Sequence, residues 1–293
     1  MKKALFQGAA TALITPFRPD GTLDLEGLET LIEFQIQNGI QALVLSGTTG
    51  EGSTLSFEEF SLLIATAAGI IRHRVPLIAG TGSNHTAKAI KFSLEAEKRG
   101  ADALLVVTPY YNKTTQEGLI QHYLAIADRV KIPLILYHIP SRTGMKIEPE
   151  TLRILSAHSN IAAIKEASGD ISGIAAIAAA CPDLTLYSGN DDQILPILSL
   201  GGKGIISVLS NIAPREVQNI CTLYESGETE RATKEQLRMV PLIQTLFSKV
   251  NPIPVKRAVE LMGLPAGAPR LPLVPCDTAT EERIRKAIKE AGL

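Results

Sequence analysis

The sequence predicts an α/β fold of the (β/α)8 TIM-barrel class with a C-terminal helical appendage. Eight short β-rich runs alternate with segments of helical period, the runs are almost continuously apolar, and the alternation stops after the eighth. Continuous apolar runs mark parallel strands covered on both faces, whereas half-exposed antiparallel strands would alternate apolar with polar residues. Eight βα units within about 225 residues exceed what a doubly wound open sheet normally uses.

The runs are Ala9 to Thr15, Ala42 to Ser46, Pro76 to Gly80, Ala103 to Thr108, Pro133 to Tyr137, Ile161 to Lys165, Leu184 to Ser188 and Gly204 to Val208. Between them Leu25 to Gln37, Phe57 to Ile71, Thr86 to Lys98 and Glu117 to Asp128 read as helices, each ended or followed by Gly or Pro. Pro214 to Tyr224 would close the barrel. Thr229 to Lys249, Val255 to Met262 and Thr280 to Ala291 follow as helices, with joints at Asn251-Pro-Ile-Pro254 and Gly263 to Pro275. Their apolar residues suffice to pack on the barrel or on a second subunit. The chain therefore divides into a barrel with the active site over 1–225 and a helical region over 226–293.

Composition excludes several functions. A net charge of −1 across 293 residues, with no run of five like charges, gives no global attraction for nucleic acid or an anionic membrane. Cys181, Cys221 and Cys276 lie far apart and form no C-x-x-C pair, which suits reduced thiols and a cytoplasmic setting. Lys2-Lys3 ahead of apolar residues faintly resembles a leader, but Gln7 and Gly8 interrupt the run, and Pro16, Arg18 and Asp20 close it. No apolar stretch has the length of a membrane span. The five histidines are scattered and no H-E-x-x-H occurs, so a zinc centre is not expected. Absence of G-x-G-x-x-G removes the main cue for a nicotinamide cofactor.

In such a barrel, function sits at the carboxyl ends of the strands and in the loops beyond them. Lys165 ends the sixth run, in Ile161-Ala-Ala-Ile-Lys165-Glu166-Ala-Ser-Gly169. A lysine that loses its water there has its ammonium form disfavoured and presents a neutral amine to a carbonyl carbon, which is Schiff-base chemistry. The alternative is a solvated charge at a strand end. Gly47-Thr48-Thr49-Gly50-Glu51 is either a tight turn or a cradle for a small carboxylate. Tyr110-Tyr111 is either a packing pair or part of the site. Arg142, after the Pro140-Ser141 turn, is either a surface arginine or a grip on a substrate carboxylate. Asp191-Asp192 reads as a helix N-terminus without partner ligands for a metal.

Taken together, these residues resemble the pyruvate-dependent class I aldolase family that includes N-acetylneuraminate lyase, from Gly8 to the C-terminus. Within it, Gly47 to Glu51, Tyr110-Tyr-Asn112, Tyr137 followed by Pro140-Ser-Arg-Thr-Gly144, Ile253-Pro-Val-Lys256 and Arg270-Leu-Pro-Leu look like the branch that condenses pyruvate with L-aspartate-4-semialdehyde. Neuraminate lyases usually carry Ser-Thr in the first motif and lack the arginine. His138 departs from the pattern, since asparagine is common beside the tyrosine, and this bears on substrate fit more than on the reaction.

The resemblance implies that Lys165 forms an imine with pyruvate, without added cofactor, and that Tyr137 moves protons through Thr48 to Tyr111 of a neighbouring subunit. It implies that Thr49 and nearby backbone N–H groups hold the pyruvate carboxylate, that Arg142 holds the semialdehyde carboxylate, and that Gly189 and Ile206 shape the site through backbone groups. The expected product is a 4-hydroxy-tetrahydrodipicolinate, on the route to diaminopimelate and lysine, made by a homodimer or homotetramer. A sibling aldolase would keep Lys165 and Tyr137 but take another aldehyde, against which Arg142 argues. A barrel that has lost catalysis would have little reason to retain this constellation.

Lysine-inhibited members bind lysine at a subunit interface, through a carboxylate on the helix after the third strand and often two histidines on the helix after the second. Here Ser53, Asn84 and Tyr110 fall at that site, but Lys88 stands at the carboxylate position and Phe57 and Phe60 at the histidine positions. Weak or absent lysine inhibition is expected, unless Lys88, in a run with Lys91, Glu95 and Lys98, simply faces solvent.

Overall fold

Each apolar run becomes a strand buried on both faces. The computed structural model describes residues 3–293, so Lys2 of the Lys2-Lys3 pair and the very start of the 1–225 region lie outside the described residues. Among the described residues, β1 (Gly8–Ala12), β2 (Ala42–Leu45), β3 (Leu77–Gly80), β4 (Ala103–Val107), β5 (Leu134–His138), β6 (Ile161–Glu166), β7 (Thr185–Ser188) and β8 (Gly204–Ser207) pair in parallel in that order. β8 returns to β1 and closes the barrel. At the closure Gly8 pairs with Gly204. A Cβ on Gly204, where φ is +148°, would stand 1.8 Å from the Gly8 carbonyl oxygen, so this seam needs glycine.

Strand limits differ from the sequence reading most at β1, and by single residues at the other strands. β1 stops at Ala12 rather than Thr15 because the Ile14 N–H donates to the Asn211 side chain at 3.0 Å instead of to a neighbouring strand. The Leu13 N–H still donates to the Val44 carbonyl of β2 at 2.9 Å, and Ile14 stays buried all the same, so its apolarity reports packing rather than pairing. β5 and β6 each run one residue further, to the buried polar residues His138 and Glu166.

The connecting helices are α1 (Leu25–Gln37), α2 (Phe57–Ile71), α3 (Thr86–Lys98), α4 (Gln116–Ala127), α5 (Pro140–Thr143), α6 (Pro149–Ser156), α7 (Ile171–Ala180), α8 (Ile194–Ser199) and α9 (Pro214–Glu225). Their starts follow from local chemistry. Asp24 accepts the Gly27 N–H at 3.0 Å to open α1, and Ser56 and Glu59 cap each other's backbone N–H groups to open α2. Pro140, Pro149 and Pro214 occupy first-turn positions, where their missing N–H costs nothing.

The apolar residues form two shells. Inside the barrel, small side chains such as Ala10, Ala42, Ala103 and Ala163 interleave with Val44, Ile78, Leu105, Ile135 and Ile206. Phe6, just ahead of β1, stacks on Tyr187 with ring centroids 4.1 Å apart. The outer shell lies between sheet and helices.

Beyond α9 come α10 (Thr229–Leu246), α11 (Ile253–Leu261) and α12 (Thr278–Glu290). Met239, Leu242 and Leu246 of α10 and Val255 and Val259 of α11 enter the same apolar cluster as the sheet–helix layer. A buried ion pair adds a second attachment: Lys256 Nζ of α11 lies 2.8 Å from Glu51 Oε1, in the loop after β2. Lys256 also donates to the Thr15 carbonyl, and the Arg270 N–H donates to Glu51 Oε2 at 2.8 Å. The appendage is thereby tied to the barrel end that carries the loops. Among the described residues no helix is long and apolar enough to cross a membrane.

Candidate active site

Adjacent parallel strands bring residues of equal register side by side, and in β5 and β6 the register sets Tyr137 opposite Lys165. Alternation then aims both into the barrel mouth, following Ile135 and Ala163, which line the interior. Lys165 is only 5% exposed, and its Nζ lies 4.3 Å from the centroid of the Tyr137 ring. Burial pushes the Lys165 amine down to about 8, and the positive Arg142 acts in the same direction, while the carboxylate of Asp191 opposes them. Burial pushes the Tyr137 phenol up, opposed by Arg142 and by a hydrogen bond with the Thr48 side chain.

Asp191 is fully enclosed. It accepts from the Ser207 hydroxyl and from the Val208 and Leu209 N–H groups, both at 3.1 Å, and its backbone carbonyl accepts from Gln236 of α10 at 2.9 Å. The helix start expected at Asp191-Asp192 is present as a 3-10 turn, Asp191–Gln193, that runs directly into α8 at Ile194, with Asn190 at its cap position and no side-chain cap bond. Burial raises the Asp191 carboxyl, and the surrounding donors and Lys165 counter that. Gly189 packs directly against the lysine: a Cβ there would lie 3.0 Å from Lys165 Cε and 2.7 Å from the Ala167 Cβ. Ile206 points into the interior from β8.

A cavity of about 330 Å³ opens at this barrel end, the size class of a small-molecule site. Thr48, Tyr137 and Arg142 line it, and so do Ser53, Lys88 and Tyr110, so residues from the two groups singled out in the sequence share one space. Arg142 sits on α5 and donates to the Asn251 carbonyl at 3.3 Å. Thr49 is buried, and its hydroxyl accepts the Asn251 side-chain amide at 2.9 Å. Tyr111 is not brought to Thr48 within the chain: it is 92% exposed, on a left-handed backbone with φ of +67°.

Among the remaining effector-site residues, Phe60 belongs to the apolar core and Phe57 packs edge-on against Phe92 with Lys91 above it. Asn84 offers its carbonyl to the Asn112 side chain. Neither phenylalanine lines the cavity.

A model of the dihydrodipicolinate synthetase family matches residues 5–291. The chain belongs to this family. It is 49% identical over 289 residues to the 4-hydroxy-tetrahydrodipicolinate synthase of Caldicellulosiruptor saccharolyticus, covering 99% of this chain and 98% of that protein. Synthase 1 of Clostridium acetobutylicum is also 49% identical, over 99% of both chains. The crystal structure of dihydrodipicolinate synthase from Thermotoga maritima superposes with a TM-score of 0.96 at 43% identity, again over 99% of both.

Some residues of this synthetase-family site are hidden from a reading of the sequence. Asn251 shows there only as part of a joint, yet it bridges Thr49 and Arg142, which lie 202 and 109 positions away. Asp191 carries one signal, that of an acidic residue in the loop after β7, read in the sequence as a helix N-terminus. His138 and Glu166 meet across β5 and β6 at 2.6 Å, a contact that only the register reveals.

With Lys165 titrating near 8, labelling of Lys165 by a small carbonyl compound under reducing conditions should rise with pH and level off above about 8. A pH series read by peptide mass spectrometry checks this, and a rise that continues toward the ordinary lysine value of 10.5 counts against it.

Proposed function

We propose that this chain condenses pyruvate with L-aspartate-4-semialdehyde through a lysine imine, giving 4-hydroxy-tetrahydrodipicolinate for diaminopimelate and lysine synthesis. The observation that carries this is a buried Lys165 against the ring of Tyr137, which lines the cavity together with Arg142, in a chain of this family.

The neutral Lys165 amine attacks the pyruvate carbonyl and loses water to form the imine, which serves as an electron sink. Loss of a methyl proton gives an enamine. Its terminal carbon attacks the semialdehyde carbonyl, and the new alkoxide takes a proton. The substrate's own amine then adds to the imine carbon, expels Lys165 and closes the ring. Each transfer needs a positioned proton carrier, and Tyr137, hydrogen-bonded to Thr48, has that place. Thr49 and neighbouring backbone N–H groups hold the pyruvate carboxylate. Arg142, on the cavity wall, holds that of the semialdehyde. Gly189 leaves the space that the lysine needs, and Ile206 walls the interior. The organic steps require no added cofactor. The buried or half-buried free cysteines suit a reducing cytoplasm.

Treatment with pyruvate and borohydride should fix the adduct on Lys165 alone, and a panel of aldehyde acceptors should show turnover with aspartate-4-semialdehyde. An adduct on another lysine removes the imine assignment. Preference for a sugar aldehyde would move the chain to the sibling aldolases.

The exposure of Tyr111 supports a site completed by a second copy, in a homodimer or homotetramer. Tyr111→Phe and Lys165→Ala subunits, each inactive, should regain part of the activity when mixed, because one hybrid site is intact. Confirmed subunit exchange without recovery would sink the shared site.

Lys88 lines the cavity beside Ser53 and Tyr110, with its Nζ 5.4 Å from the Phe92 ring. A lysine ligand would bring an ammonium to a like charge there instead of to a carboxylate, a change on the order of a hundredfold in affinity where the site is partly desolvated. Rate assays should accordingly show little inhibition by lysine, and strong inhibition at low-millimolar lysine would refute this. Lys88→Glu alone need not restore sensitivity, because Phe57 and Phe60 remain.

A further inference from the structure

His138 and Glu166 occupy the register step immediately after Tyr137 and Lys165. Alternation turns their side chains away from the barrel mouth, into the layer between sheet and helices, where they are 5% and 1% exposed. His138 Nδ1 lies 2.6 Å from Glu166 Oε2, and Glu166 Oε1 accepts the Ser168 N–H at 2.6 Å. On the other side of the ring, His138 Nε2 accepts the Ile147 N–H at 3.2 Å. A backbone N–H can only donate, so Nε2 carries a lone pair and the ring proton resides on Nδ1, donated to Glu166. Both nitrogens are thus committed, in opposite directions.

The two directions lead to different parts of the site. Through Nδ1 the ring joins β5 to β6 one residue beyond the pair that performs the imine chemistry. The backbone at Glu166 extends this hold, since its carbonyl accepts the Gly189 N–H at 2.7 Å, and Gly189 abuts Lys165. Through Nε2 the ring ties down Ile147, in the segment that follows α5, the short helix bearing Arg142. An asparagine at this position reaches only as far as the nearer nitrogen does, so it can serve one of these attachments but not both.

We propose that His138 is a positioning residue with two separable tasks: its Nδ1–H bond to Glu166 sets Tyr137 against Lys165, and its Nε2 bond to Ile147 sets the segment carrying Arg142. The proposal rests on the imine reading of the site given above.

The test uses amides that each copy one ring nitrogen. His138→Asn places an amide where Nδ1 was and removes the acceptor for Ile147, whereas His138→Gln places an oxygen near Nε2 and removes the donor to Glu166. Single-turnover imine formation with pyruvate, trapped by borohydride, reads the first task, and KM for the semialdehyde reads the second. The Gln variant should slow imine formation about tenfold or more and leave that KM near the parent's. The Asn variant should do the reverse, raising KM about tenfold or more with imine formation near the parental rate. Melting curves identify the variants that remain folded, and either one alone is enough to decide. Unchanged values in a folded variant overturn the proposal, and so does a parallel loss of both quantities, which marks a merely structural residue. Failure of the parent itself to trap pyruvate on Lys165 overturns the function reading and this proposal with it, whereas normal parental trapping with unaffected variants overturns the positioning role alone.

Discussion

The ion pair between Glu51 and Lys256 is the constraint on which the geometry of the barrel mouth rests. Glu51 ends the loop that begins at Gly47, on a left-handed backbone with φ of +52°, and its carboxylate is almost completely enclosed. A buried carboxylate costs several kcal/mol in lost hydration unless each oxygen has a partner. Here Oε1 receives Lys256 and Oε2 receives the Arg270 N–H. The ammonium is equally well used, with the Thr15 carbonyl at 3.1 Å and the Phe17 ring centroid at 4.4 Å. Such a pair adds little net stability against an apolar replacement, but either half alone would be strongly destabilising. Its effect is therefore to specify one arrangement. The loop holding Thr48 and Thr49 is locked to α11 and to the stretch of chain around Arg270, and Arg270 in turn reaches Glu59 on α2 with a 2.8 Å bond.

How far the sequence discloses this molecule depends on the range over which each feature is encoded. The eight strands are legible because a parallel strand buried on both faces must be apolar throughout, a local property. Lys165 is legible because a single cation interrupts such a run. The helices from Leu25 and Phe57 are legible because their period repeats within a few residues, and the caps found at Asp24 and Ser56 are equally local, since capping needs only three further residues. By contrast, Asn251 meets Thr49 across 202 positions, and His138 meets Glu166 through a register that exists only when the barrel closes. Asp191 looks like a cap in the sequence for the same reason: the donors that make it a buried acceptor come from Ser207, Val208 and Leu209, on and after the next strand. The overlong first strand has a different cause, since Leu13 makes the last bond to β2 and Ile14 beyond it is buried without continuing the ladder, and burial is what the apolar run reports.

The two buried lysines of this barrel end show how one physical force is steered to opposite results. Burial disfavours the ammonium form of both. At Lys256 the Glu51 carboxylate, in direct contact, opposes that and keeps a charge in place as a structural pin. Lys165 makes no ion pair among the described residues. Its opposing carboxylate, Asp191, already accepts from one hydroxyl and two backbone N–H groups, and Arg142 adds positive charge nearby. The amine consequently falls to about 8, which is worth about 3 kcal/mol relative to the ordinary lysine value of 10.5. With the folded value below the unfolded one, the full contribution to stability is present above 10.5 and is lost as pH falls through about 8, so at neutral pH the fold carries the cost of a buried charge. Packing and satisfied polar pairs elsewhere, Glu51 with Lys256 and His138 with Glu166 among them, hold Lys165 in that unfavourable place, where an amine able to lose its proton near neutrality is what attack on a carbonyl carbon requires.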